Sequence, residues 1–107
     1  MDARPRKVAD DVKQAMQSLY GHRLDRVVLF GSHARGDYRA DSDIDFLVVL
    51  NDERISRLEE INRFLSAQSE ISLKHDITLS ILPVSRKKYI ESAMPVYYFA
   101  RMEGITL

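Results

Sequence analysis

The sequence predicts an α+β fold: a small mixed or antiparallel β-sheet backed by helices. Three observations lead there. The runs at 26–30 and 44–50 are apolar, rich in β-branched residues and bounded by turn formers, as buried strands are. Elsewhere the apolar residues recur at helical spacing. The first two strands are joined by a polar loop alone, which disfavours an all-parallel doubly wound sheet, because parallel neighbours need a long crossover.

In chain order, Val8, Val12, Met16, Leu19 and Tyr20 mark a helix from Pro5 to Tyr20, with Pro5 in the first turn and Gly21 as its stop. Arg26–Phe30 is the first strand. Gly31–Ser42, polar and with two glycines, is a loop with room for one helical turn. Ile44–Leu50 is the second strand, closed by an Asn51-Asp52 cap signal. A helix over about 53–68 follows, its stripe being Ile55, Leu58, Ile61, Phe64 and Leu65. From Asp76 to Val84, Ile77, Leu79 and Ile81 alternate with Asp76, Thr78 and Ser80, which reads as a third strand. Ser85 can cap a short helix to about Ala93, and Pro95 restarts one through Met102. There is no internal repeat, low-complexity segment or linker. The expectation is one domain over residues 1–107.

Composition removes several function classes. The chain has 107 residues, 45% hydrophobic and 30% charged, which is globular rather than disordered. Without Cys there is no disulfide, thiolate zinc site or Cys nucleophile. Sixteen Lys and Arg balance sixteen Asp and Glu, which argues against a dominant nucleic-acid or anionic-membrane surface. The N-terminus lacks the apolar run of a signal peptide, and no stretch approaches ~20 apolar residues. A cytoplasmic protein is expected, with no direct nucleic-acid or membrane partner.

The chemistry concentrates in Gly31–Asp45, GSHARGDYRADSDID. A Gly-Ser pair closes the first strand, and an Asp-x-Asp opens the second. Residues i and i+2 of a strand point the same way, about 7 Å apart. Asp43 and Asp45 can therefore converge on the same divalent ions, and would repel one another without a positive partner. Mg²⁺ is the natural candidate, as a hard cation held by one or two carboxylates, waters and substrate phosphates. Asp76, taken as opening the third strand, would be a third carboxylate for a second metal or for drawing a proton from an attacking hydroxyl. Gly31 allows close backbone approach. Ser32 and the amides after it can donate to phosphate oxygens, Arg35 and Arg39 can add charge, and Ser42 joins the phosphate-binding set. Gly31 and Gly36 match P-loop glycine spacing, but Asp37-Tyr38 stands where Lys-Ser/Thr is required, so that reading fails.

GSHARGDYRADSDIDFLVV followed by HDITLSIL resembles the minimal nucleotidyltransferases of the DNA-polymerase-beta-like superfamily, over Val27 to about Val84 and weakly at Glu103-Gly104-Ile105. The resemblance implies the polymerase-beta-like nucleotidyltransferase fold, two Mg²⁺ ions and a nucleoside triphosphate donor such as ATP. It implies that Gly31 and Ser32 bind the triphosphate, that Asp43 and Asp45 bind metal, and that Asp76 is the third carboxylate. Small stand-alone members resemble antitoxins that transfer AMP from ATP to a tyrosine of a HEPN ribonuclease toxin. That makes a HEPN-type toxin the expected partner.

Plainer readings stand beside these. Asp37, Asp41, Ser42 and the acid pair could form an Asp-rich turn. Asp76 could cap a strand end or pair with Lys74. Arg35 could hold the loop through Asp37 or Asp41. His33 and His75 read as solvated or structural, and Arg4-Pro-Arg-Lys and Arg86-Lys-Lys as solvated segments. Tyr89, Tyr97, Tyr98 and Phe99 read mainly as core, with some free to face a partner. Two other functions compete: a non-catalytic antitoxin acting by complex formation, and transfer to a small hydroxylated compound such as an aminoglycoside.

Overall fold

The computed structural model describes residues 3–39 and 41–107. Met1 and Asp2, the start of the segment read above for targeting, and Ala40 of the polar loop lie outside the described residues. Helix α1 (Ala3–Tyr20) ends at Gly21, whose φ of 55° opens a 3₁₀ turn over Gly21–Arg23. Strand β1 (Leu24–Phe30), the single-turn helix α2 (Ser32–Arg35) and strand β2 (Ile44–Leu50) follow. Then come α3 (Arg57–His75), β3 (Leu79–Ser85), α4 (Arg86–Glu91), α5 (Pro95–Glu103) and a two-residue strand β4 (Ile105–Thr106).

The sheet order is β3-β2-β1-β4, and the sheet is mixed. β1 runs antiparallel to β2 and β4, whereas β2 and β3 are parallel, joined by a crossover through α3. Strand alternation divides the core into two layers. Val27, Leu29, Ile44, Phe46, Val48, Leu79 and Ile81 face α1 and α3, where Val8, Val12, Met16, Phe64 and Ile71 complete one cluster. Val28, Leu47, Val49 and Val84 face Tyr89 of α4 and Tyr97 and Ala100 of α5. Helices therefore cover both faces of the sheet, and the mixed sheet backed by helices is the α+β arrangement predicted.

Three expectations change. Helix α3 begins at Arg57, because the Ser56 side chain accepts a hydrogen bond from the Glu59 amide (3.3 Å). Asn51 and Asp52 instead tie to the 3₁₀ turn, through the His22 carbonyl (3.0 Å) and the Arg23 guanidinium (3.0 Å). Its buried face carries Glu60, Phe64 and Ile71, leaving Leu58 70% and Leu65 50% exposed. Glu60 can be buried because the Tyr20 hydroxyl (3.0 Å), Arg23 (3.2 Å) and Arg63 (3.2 Å) donate to its carboxylate. Finally, α3 runs on to His75, so β3 starts at Leu79 and not at Asp76. Among the described residues no helix is long and apolar enough to cross a membrane.

Candidate active site

β1 and β2 bring the Gly-Ser turn and the acid pair to the same end of the sheet. Phe30 pairs with Asp45, so Gly31 leaves β1 directly beside the Asp45 side chain. Gly31 has φ 75° and ψ −156°, a conformation that side chains rarely adopt. A Cβ there would stand 2.5 Å from Asp45 Oδ2. Only glycine allows the loop to pass this close to the carboxylate.

From Gly31 the chain makes the turn α2, closed by Ala34 and Arg35 amides donating to the Gly31 carbonyl (3.1 Å each) and ended by Gly36 at φ 85°. The first amides of such a turn have no partner within it. They lie next to Ser32, where the phosphate contacts were expected. The loop is held by contacts that the sequence did not reveal. His33 stacks on Tyr38 (centroids 4.2 Å apart), and its Nε2 lies 3.3 Å from the Ser42 carbonyl. Among the described residues, His33 Nδ1 is buried without a hydrogen-bond partner. The Ser42 hydroxyl accepts from the Arg39 amide (2.8 Å), a turn-forming contact. Arg35 donates to Asp37 (3.2 Å) and approaches Glu103 at the end of α5 (3.7 Å).

Asp45 shares the sheet face of Leu47 and Val49, and is half-buried, whereas Asp43 is exposed. Burial first, and then the Asp43 charge, push the Asp45 carboxyl above its ordinary range, while His33 and Arg35 oppose the shift. Two acids at the mouth of an apolar strand, one of them held partly out of water, fit a hard divalent cation such as Mg²⁺. A cation there would relieve both penalties at once.

Among the described residues, Asp76 does not join this pair in a three-ligand cluster. It is the C-cap of α3 in the left-handed region (φ 50°), and its backbone carbonyl accepts from Arg4 (2.8 Å), as does that of His75 (2.5 Å). With Asp41, Ser42, Ser72, Leu73, Ile77 and Thr78 it lines a cavity of about 370 Å³ beside α3, the helix that covers the other sheet face. The placement of Asp76 at the head of the third strand is therefore corrected. Among the described residues no three His, Cys, Asp or Glu side chains group as a metal site. What stands across from Asp45 on β3 is Ser80. That position depends on the register of two strands far apart in sequence, which alternation alone does not supply.

The predicted aromatic cluster divides. Tyr89 and Tyr97 are buried in the α4–α5 layer, whereas Tyr98 and Phe99 are about half exposed and meet edge to face (5.3 Å). Met94, the residue before α5, and Met102 near its end are both more than half exposed.

Comparison with known proteins identifies the family. The nucleotidyltransferase domain family matches residues 9–97. A relative from Methanocaldococcus jannaschii, provisionally named protein adenylyltransferase MJ0141, is 36% identical over 87 residues, 81% of this chain and 84% of that one. Among solved structures, a chain of the complex of tri-AMPylated Shewanella oneidensis HEPN toxin with MNT antitoxin superposes at a TM-score of 0.61. It is 12% identical and the match covers 95% of this chain and 70% of that one. Spectinomycin adenyltransferase AAD(9) from Enterococcus faecialis, solved with ATP and spectinomycin, gives 0.66 at 18% identity, covering 84% of this chain and 38% of that one. The chain belongs to the nucleotidyltransferase domain family.

Proposed function

We propose that this nucleotidyltransferase transfers AMP from ATP to a hydroxyl of a partner protein, specifically a tyrosine of a HEPN-type toxin that it restrains in the cytoplasm. The observation that carries the transfer chemistry is the contact between the Gly31 turn and Asp45, which sets a phosphate-binding loop against a cation-binding acid pair. The M. jannaschii relative and the fold likeness to a chain of the complex between tri-AMPylated HEPN toxin and MNT antitoxin support the choice of donor and acceptor.

In this reading Gly31 and the amides after it seat the triphosphate, with Ser32 donating to a phosphate oxygen. Arg35 supplies charge at the same end of the site. Asp43 and Asp45 hold Mg²⁺, which when bound supplies positive charge against the triphosphate and the departing pyrophosphate. The acceptor oxygen attacks the α-phosphorus in line. The new P–O bond forms as the bond to the bridging oxygen of the β-phosphate breaks, pyrophosphate leaves, and the hydroxyl proton passes to water. Ser42 and His33 keep the loop in shape for this, through contacts within it.

Incubation with Mg²⁺, ATP labelled at the α-phosphate and a HEPN-type toxin from the same source should label a toxin tyrosine. The Asp43→Ala, Asp45→Ala double variant should lower the rate at least 10³-fold, on the order of 4 kcal/mol of barrier. ATP binding without any label transfer would overturn the proposal. A double variant that still suppresses the toxin fully would favour neutralisation by complex formation instead. The likeness to the spectinomycin enzyme motivates a parallel assay with spectinomycin as acceptor.

A further inference from the structure

The parallel β2–β3 register aligns Asp45 with Ser80, Leu47 with Leu82 and Val49 with Val84. Leu47, Leu82, Val49 and Val84 all pack in the α4–α5 layer. Strand alternation puts Ser80 on that face too, next to Asp45 on the neighbouring strand, at a spacing of about 4.8 Å. Leu82 and Val84 are covered, but Ser80 is exposed. It stands where the sheet emerges from beneath the helices, level with Asp45 and the Gly31 turn. Asp76 is the C-cap of α3, outside β3, and does not group with Asp43 and Asp45 as a metal site.

Resting on the reading of Asp43 and Asp45 as the cation-binding pair, we infer that Ser80, and not Asp76, is the third side chain of the donor site. It presents a neutral hydroxyl where a carboxylate would complete a three-acid cluster. Physical consequences follow for the cation. Two carboxylates leave most of its coordination to water and phosphate oxygens, so the bare site binds it weakly. The triphosphate brings the missing negative charge, and cation and nucleotide then bind as one unit. A third acid beside Asp45 would instead let the cation bind alone.

Mn²⁺ binding without nucleotide, followed by calorimetry or by the electron paramagnetic resonance of free Mn²⁺, tests this apart from catalysis. Ser80→Asp should tighten Mn²⁺ about tenfold, and Asp76→Asn should leave it at the wild-type value. Weakened binding in Asp76→Asn together with unchanged binding in Ser80→Asp would overturn the assignment. Loss of Mn²⁺ binding in Asp43→Ala, Asp45→Ala checks the underlying pair. If that variant binds as the wild type does, the pair reading fails, and a second measurement decides Ser80 by itself. The chain has no Cys, so Ser80→Cys and Asp76→Cys each provide a single thiol for a methanethiosulfonate reagent. ATP with Mn²⁺ should slow modification of Cys at position 80 at least fivefold and leave position 76 unchanged. Equal protection, or protection of position 76 alone, would overturn the inference.

Discussion

Asp45 carries a stability penalty that the proposed cation-binding role accounts for. A carboxyl whose folded pKa lies above the unfolded value binds its proton more tightly when folded. Its favourable contribution is therefore present below the ordinary Asp range, about 3.9, and is lost as pH rises through the folded value. Asp45→Asn removes the charge that burial and Asp43 disfavour. In metal-free buffer at pH 7 the variant should melt a few degrees higher than the wild type, and the gap should close as pH falls below about 4. Adding Mg²⁺ with ATP should reverse the order, because only the wild type gains ligand-linked stability. Thermal melts over pH, with and without ligand, check both. At this scale the sequence is informative where chemistry is local. Gly31, Asp43 and Asp45 can be read because a strand's period of two aligns the acids and a glycine at the strand end permits close approach. Ser80 cannot, since its place beside Asp45 depends on the pairing of β2 with β3 across the whole of α3.

The helices show what local pattern misses. α1 and the end of α3 are clamped by Asp11, which accepts from Lys74 (3.0 Å) and lies 2.7 Å from His75 Nε2, while Arg4 holds the last carbonyls. His75, and after it Lys74, hold the Asp11 carboxyl below its ordinary range. A depressed carboxyl stabilises above the unfolded pKa and loses that contribution as pH falls through the folded value. Asp11→Asn should therefore lower stability at pH 7 by about 1 kcal/mol, and by progressively less in acid, as urea unfolding at the two extremes would register. The rotation of α3 about its axis was illegible for a related reason. Its Leu58 and Leu65 stripe looks like the core side, but a buried Glu60 satisfied by Tyr20, Arg23 and Arg63 turns that stripe outward. Hydropathy ranks Glu as a surface residue, and two of its three partners, Tyr20 and Arg23, lie 40 and 37 residues away in the chain. By contrast, Ser85 is read correctly as the cap of α4, because the contact spans only three residues: its side chain accepts from the Lys88 amide (3.2 Å).

For the molecule as a whole, the two helical layers have different duties. The α1–α3 layer contains most of the large buried side chains and supports the sheet. The thinner α4–α5 layer lies on the face that carries Asp45, and its outer surface retains Met94, Tyr98, Phe99 and Met102. Exposed aromatic and Met side chains of this kind are what protein interfaces concentrate. Glu103, at the end of the same helix, reaches Arg35 of the donor loop. If the acceptor protein seats here, Phe99→Asp should weaken its complex with this chain at least tenfold while leaving ATP affinity unchanged, as titration of the toxin and of ATP would show separately. The sequence displayed this aromatic cluster without dividing it, since exposure at 98 and 99 against burial at 97 follows from how α5 lies on β1.

The short strand β4 bears on self-association. Ile105 and Thr106 pair with Leu29 and Val28, and the Leu107 amide donates to the Val27 carbonyl (2.9 Å). β1 would otherwise be an edge strand, apolar along most of its length and lined with unpaired peptide groups, open to pairing with another polypeptide. Residues 105–107, too few to add much to the core, cover that edge over Val27–Leu29, and so guard the middle of the same strand that delivers Gly31 to Asp45 from being captured by a neighbouring molecule.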